Sequence, residues 1–455
     1  MSNVYRLVHD SMGEMEVPAE RAYGAQTQRS LNNFKIGSEK MPELLIEALI
    51  EIKRAAARVN AELGLLDAGR AMAIEATATS LLESRDSADF PLALWQTGSG
   101  TQTNMNVNEV IAYLASERSG LAIHPNDHVN RSQSSNDVFP TAMHLAADRR
   151  LDRDLIPALR SMISALKKLE TKAAGIMKVG RTHLQDAVPL PLALEVAGWR
   201  ATLETALEDI EYAQRGLCVL AIGGTAVGSG LNTAPGYAQK MASELSAAYG
   251  RDYTVAPILT AELACKHRIA QAHSALANLA SDLIKVANDI RFLASGPRCG
   301  YGELRLPENE PGSSIMPAKV NPTQAEALTM VAVRVLGNQS SVSIAASQGN
   351  FELNVYMPLL IYCFDQSAGL LADAMNSFVE HCLLGIEINR EQIASDLERS
   401  LMTVTALTPE IGYEKAAELA KFAHQEGLSL REAIRAQGLI SEERFDALMA
   451  EAFDI

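Results

Sequence analysis

Aromatic residues are scarce in this chain, at 5% of 455 positions, although hydrophobic residues reach 47%. β-Sandwiches lean on aromatic and β-branched side chains, so a balance rich in Ala and Leu favours packed helices instead. Positive charge is short as well: 40 basic against 55 acidic residues leave a net charge of −15. Nucleic acid and anionic membranes are therefore poor partners, and any anionic ligand needs a focused local cation to overcome that field. The cysteines (Cys218, Cys265, Cys299, Cys363 and Cys382) are odd in number and none form a CxxC pair. That pattern fits a reducing compartment and argues against a disulfide framework or a zinc site. An HExxH pattern is missing too, so no metal is expected. No apolar run approaches the length of a membrane span, and the opening stretch 1–10 lacks the apolar core of a signal peptide. The expectation is a cytoplasmic protein with a large core and two or three domains.

What is present centres on residues 312–322, Gly-Ser-Ser-Ile-Met-Pro-Ala-Lys-Val-Asn-Pro. Prolines at 307, 311, 317 and 322 each fix φ and remove a backbone donor, which forbids a regular helix or central strand here. An ordered loop remains, with several backbone N–H groups in succession and the ammonium of Lys319 beside them. Such runs make anion-binding concavities, so the loop reads as a cradle for a carboxylate or a developing oxyanion. A mobile linker is the plainer alternative. Ile315 and Met316 count against it, because solvated linkers rarely carry large apolar side chains.

Along the chain, residues 1–40 are punctuated by Gly and Pro with little periodicity. From Pro42 the pattern is helical, with Leu45, Leu49, Ile52, Ala56 and Val59 on one face. Ser99 and Thr101 stand where a helix N-terminus offers free N–H groups, a place that suits either anion binding or plain capping. His124, Asn126 and Asp127 mark another turn. Ser134, Ser135 and Asn136 read as caps or as the lining of a polar pocket. Helical pattern then dominates, with an interruption expected at Pro157. Thr182 and His183 lie between Gly180 and Pro191, in what reads as an irregular junction between long helices. The glycine-rich 222–230 is no phosphate loop, because no Gly-Lys-Ser/Thr follows. Long helices are expected over about 193–217, 262–293, 323–347 and 354–383, followed by short helical segments. Helices of ~25 residues span ~40 Å and suit an elongated bundle. The expected division is an N-terminal domain over 1–137, a central long-helix bundle carrying the loop over 138–392, and a small helical C-terminal domain over 393–455.

Taken together, several stretches resemble the class II fumarase (fumarate hydratase) family of the fumarase/aspartase superfamily. They are Gly-Ser-x-x-Met-x-x-Lys-x-Asn at 312–321, Thr-Gly-Ser-Gly-Thr-Gln-Thr-Asn at 97–104, Ser-Ser-Asn at 134–136, Gly-Arg-Thr-His-Leu-Gln-Asp at 180–186 and Gly-Pro-Arg-Cys-Gly at 296–300. Asn309-Glu-Pro and Asn321-Pro-Thr-Gln are closer to fumarases than to aspartases, whereas Ala318 is more aspartase-like. Tyr23 replaces a usual Trp, and Ala193-Leu-Glu195 a usual Gly-Gln-Glu. The resemblance implies a mainly α homotetramer around a shared multi-helix core, with smaller N- and C-terminal domains and pockets built from three chains. It implies reversible hydration of fumarate to malate without a cofactor. Ser313 would be the base, His183 paired with Glu326 the group handling water, and Lys319 with Asn321 the anchors of the carbanion. Ser99, Thr101, Ser134, Ser135, Asn136, Thr182 and Ser314 would hold the substrate, and His124, Asn126 and Asp127 an accessory carboxylate. An aspartate ammonia-lyase, or a hydratase of a substituted fumarate such as mesaconate, is the nearest alternative.

Overall fold

The computed structural model describes residues 4–453; residues 1–3, the start of the stretch that argues against a signal peptide, lie outside it. The chain opens with an antiparallel hairpin of β1 (Tyr5–Asp10) and β2 (Gly13–Pro18), with Asp10 paired to Gly13 at the turn. Helices follow: α1 (Ala25–Asn33), α2 (Glu43–Glu62), α3 (Ala68–Glu83), α4 (Thr101–Ser119), α5 (Ser135–Arg150) and α6 (Ile156–Lys172). A second hairpin, β3 (Met177–Thr182) and β4 (Gln185–Pro191), precedes α7 (Leu192–Leu217), α8 (Tyr237–Tyr249), α9 (Leu259–Ala264) and α10 (His267–Leu293). After the proline-rich loop come α11 (Thr323–Ser347) and α12 (Met357–His381). Shorter helices close the chain: α13 (Arg390–Arg399), α14 (Thr408–Ile411), α15 (Tyr413–Glu426), α16 (Leu430–Gln437) and α17 (Glu442–Phe453). The fold is mainly α, and no described helix is long and apolar enough to cross a membrane.

Three local expectations are corrected. Residues 5–33, which show little periodicity in the sequence, form a hairpin and a helix, because β1 alternates exposed and half-buried positions too weakly to show as a pattern. The expected helix over 262–293 is split at Cys265. There the buried Lys266 turns its ammonium back onto the carbonyls of Glu262 and Leu263 (2.9 Å to the latter) and closes α9. The interruption near Pro157 lies just before it, in a π-turn over Leu151–Leu155. Pro157 itself is in the first turn of α6, where its missing N–H costs little.

The chain divides into two units, and each has its own core. The first comprises residues up to 157, 206–281 and 331–372. Here α2 supplies a buried stripe in which Leu45, Leu49, Ile52, Ala56 and Val59 are all inaccessible to solvent. Glu109 of α4 does a second job: its carboxylate accepts from the backbone N–H groups of Gly24 (2.9 Å), Gln26 (2.8 Å) and Thr27 (3.1 Å) and from the Thr27 hydroxyl (2.6 Å). It therefore caps α1, whose N-cap Gly24 has no side chain to do so. A Cβ on Gly24 would come within 2.8 Å of that carboxylate, which is why glycine stands there. The second unit comprises 158–205, 282–330 and the chain from 373 onward. Its C-terminal helices close over Leu407, Leu419, Leu430, Ile434 and Phe445. In the first unit, Glu109→Ala would orphan three backbone donors and is expected to cost about 3 kcal/mol. A lowered thermal midpoint checks this.

Candidate active site

The proline-rich loop folds back on itself at Gly312. A Cβ there would lie 1.9 Å from the carbonyl oxygen of Lys319, so only glycine lets the two arms meet. The Asn321 side-chain amide donates to the Gly312 carbonyl and locks the closure, and the Lys319 N–H donates to the Met316 carbonyl (3.3 Å). Ala318 takes a left-handed conformation (φ 63°), which costs an L-residue ~1–2 kcal/mol. Inside this turn the Ser313 hydroxyl oxygen accepts from two successive backbone N–H groups, those of Ile315 (3.3 Å) and Met316 (3.0 Å). Two donors aimed at one oxygen favour its anionic form. Ser314 and Lys319 are exposed on the same loop, and Glu326 is exposed in the first turn of α11. Ile315 is 82% exposed and Met316 48%, large apolar groups left open on the surface of the single chain.

Thr182 and His183 do not sit in an irregular junction, as the flanking breakers imply, but at the tip of the β3–β4 hairpin. Thr182 pairs with Gln185, leaving His183 and Leu184 as a two-residue loop with φ of 58° and 57°. Both central residues of such a loop need positive φ, normally supplied by Asn or Gly, so the tip is strained. Below it the register shifts between Val179 and Arg181, and a Cβ on Gly180 would meet the Val188 carbonyl at 2.5 Å. Buried charges hold the strand in place. The Lys178 ammonium lies 2.9 Å from Glu195 and 3.1 Å from Glu303, and Arg181 pairs with the other oxygen of Glu303. Lys178 and Glu303 are each only 1% exposed, and the Arg181 guanidinium also lies over the Tyr301 ring at 4.3 Å. Thr182 and His183 themselves are exposed, and no hydrogen bond or ion pair joins His183 to Glu326 among the described residues.

In the first unit, two glycines frame Ser99. A Cβ on Gly98 would overlap the Val355 carbonyl at 1.3 Å, and one on Gly100 (φ 72°) would strike the Phe139 ring at 2.1 Å. Gly100 is the N-cap of α4 and offers no side chain, so Ser99 and Thr101 do not act as its caps. Their hydroxyls hydrogen-bond each other at 2.9 Å beside the helix start, where Gln96 Oε1 accepts from the Thr103 N–H (3.1 Å) and the positive end of the helix dipole favours an anion. Ser134, by contrast, is a true cap. It forms a capping box with Asp137, whose buried carboxylate also accepts from the Gly223 N–H (2.9 Å). Burial pushes Asp137 up to about 6. Asn136 donates its amide to the Ala226 carbonyl (2.9 Å), and the Ser135 hydroxyl oxygen accepts from the Asn104 amide (3.1 Å). His124 caps its own turn by accepting from the Asp127 N–H (3.2 Å), with Asn126 and Asp127 exposed beside it. His128 in the same turn accepts from the His124 N–H (2.8 Å) and escaped the sequence reading, though its spacing four residues on was visible.

A family model described as "Lyase" matches residues 13–337, and one described as "Fumarase C C-terminus" matches 404–451. "Fumarate hydratase class II" of Ralstonia nicotianae is 54% identical over 448 residues, 97% of each chain, and that of Bacillus subtilis is 52% identical over 450 residues, 98% of this chain and 97% of the other. The chain belongs to the class II fumarase family. The crystal structure of the recombinant class II fumarase from Schistosoma mansoni is 40% identical, covers 99% of this chain and superposes with a TM-score of 0.96. Of the two departures from the usual family residues, Tyr23 is buried with its hydroxyl 3.4 Å from Gln28, whereas Leu194 is 61% exposed on the first turn of α7. Because the loop of this family member closes only over a glycine, Gly312→Ala is expected to cut turnover at least about a hundredfold, with the displaced Ser313 misplacing its oxygen by ~1 Å. An unchanged circular-dichroism melt should accompany the loss.

Proposed function

We propose that the protein catalyses the reversible, stereospecific hydration of fumarate to (S)-malate by anti addition and elimination through an aci-carboxylate carbanion. The observation that carries this is the Ser313 oxygen, poised over two backbone donors in a loop that also carries Lys319. Malate dehydration removes a weakly acidic proton from the carbon next to a carboxylate. A serine does this only as an alkoxide, and the same two N–H groups with the nearby ammonium stabilise that charge. Lys319 and Asn321 then meet the charge spreading into the carboxylate. His183, its tautomer set by Glu326, delivers a proton to the departing hydroxyl, or takes one from water in the reverse direction. Ser99, Thr101, Ser134, Ser135, Asn136, Thr182 and Ser314 hold the two substrate carboxylates, and His124, Asn126 and Asp127 form an accessory carboxylate site outside the chemistry.

A homotetramer completes the pocket on this reading. One chain gives Ser99, Thr101 and 134–136, another Thr182 and His183, and a third the loop. Exposed apolar side chains support this: Met330 (68%), Val333 (62%) and Ile344 (65%) on α11, with Ile315 and Met316 in the loop, present apolar surface that a second copy would cover. Five free thiols agree with a reducing, cytoplasmic setting.

Ser313→Ala should abolish the absorbance change of fumarate formation from malate while the elution volume of the assembly stays the same. Near-normal turnover would remove Ser313 as the base. For His183→Asn the expected loss in kcat is about two to four orders of magnitude, and an unchanged rate would demote it to a structural residue. Turnover of aspartate in place of malate would mark the ammonia-lyase instead.

A further inference from the structure

The first unit holds a buried cation with no place in the chemistry above. Lys53 lies on the inward stripe of α2, between Ile52 and Ala56, and is fully inaccessible to solvent. Its ammonium donates to two amide oxygens, Asn130 Oδ1 (2.9 Å) and Gln133 Oε1 (2.8 Å). Asn130 Oδ1 is a hub, because the amides of Asn104 (3.3 Å) and Asn108 (3.2 Å) donate to it as well. Asn104 donates in addition to the Ser135 hydroxyl oxygen (3.1 Å). Two turns along the same face of α2, Asn60 grips the neighbouring backbone. Its amide donates to the Arg131 carbonyl (3.1 Å), and its oxygen accepts from the Ser132 hydroxyl (2.8 Å). Thus α2 clamps the turn 130–133 at two points, and that turn leads directly into Ser134, Ser135 and Asn136.

The direction of these bonds matters. Ser135 receives an N–H on its oxygen, so its own O–H remains available to donate, which is what a carboxylate requires. Lys53 and Asn104 share one acceptor, Asn130 Oδ1, so the ammonium fixes where that oxygen sits and, through it, where the Asn104 amide points. Burial pulls Lys53 down to about 7, and the Asp137 carboxylate favours its charge. Burying such a charge is costly, and an apolar side chain of similar length would fill the space.

We propose that Lys53 is a positioning residue for substrate binding, which holds the 130–133 turn and aims the Ser135 hydroxyl at a substrate carboxylate through Asn130 and Asn104. This rests on the reading of Ser135 as a substrate-binding group. The test compares steady-state malate dehydration by the intact assembly for the wild type, Lys53→Met, Ser135→Ala and the double variant, with thermal melts of each. Lys53→Met should raise KM about tenfold or more with kcat within about threefold, and Ser135→Ala should do the same. The double variant should be no worse than the worse single one, because both act on one contact. Additive effects, a change confined to kcat, or an unchanged KM in Lys53→Met would overturn the proposal while leaving Ser135 in place. An unchanged KM in Ser135→Ala would remove both together. Should Lys53→Met fail to fold, Lys53→Gln keeps an N–H donor without the charge. The same rise in KM is required of it, and a wild-type KM would overturn the role of the cation.

Discussion

Two backbone N–H groups pointing at the oxygen of Ser313 are the contact on which the proposed chemistry rests. On the proposed reading a serine hydroxyl, far too weak a base in water, becomes one through the geometry of the loop and the charge of Lys319. Proline at both ends limits the backbone, and Gly312 lets Lys319 approach to a distance no side chain permits. The Asn321 amide then ties the arms together. What these constraints produce is a fixed concavity of donors, arranged before any substrate arrives, so little reorganisation is required when charge develops.

The same logic runs through the rest of the candidate site, and it answers the difficulty posed by the net charge. A chain at −15 repels a dianion at long range. On the proposed reading attraction is local and directional, through groups that are mostly neutral: the start of α4, the paired hydroxyls of Ser99 and Thr101, and the hydroxyl of Ser135. Lys319 is on the loop, and Lys178 and Arg181 are consumed by Glu195 and Glu303 beneath the hairpin.

That hairpin shows how strain is sustained. His183 and Leu184 both adopt a conformation that glycine or asparagine would take more easily. A buried ion cluster, a bulge at Gly180 and the Arg181–Tyr301 stacking fix the strands rigidly enough to impose it. The gain is an exposed imidazole on a short, stiff arm.

Much of this was legible from residue order alone. The prolines and Gly312 announce an ordered loop, and the stripe from Leu45 to Val59 announces a buried helix. The bounds of α11 follow from the apolar run that begins at Thr323. These features are local: φ restrictions and the 3.6-residue period act between neighbours, so the chain carries them wherever it goes. Sequence distance hid the rest. Glu109 caps a helix 85 residues away, and Lys53 meets Asn130 across 77. Nothing in either neighbourhood hints at such a partner, and a lysine on an apolar stripe reads as an imperfection. The residues that bear chemistry are thus fixed by the order of the chain. The direction in which each hydroxyl and amide points is settled only when packing brings distant donors and acceptors within hydrogen-bonding reach, because a buried polar group must find its partner wherever the fold supplies one.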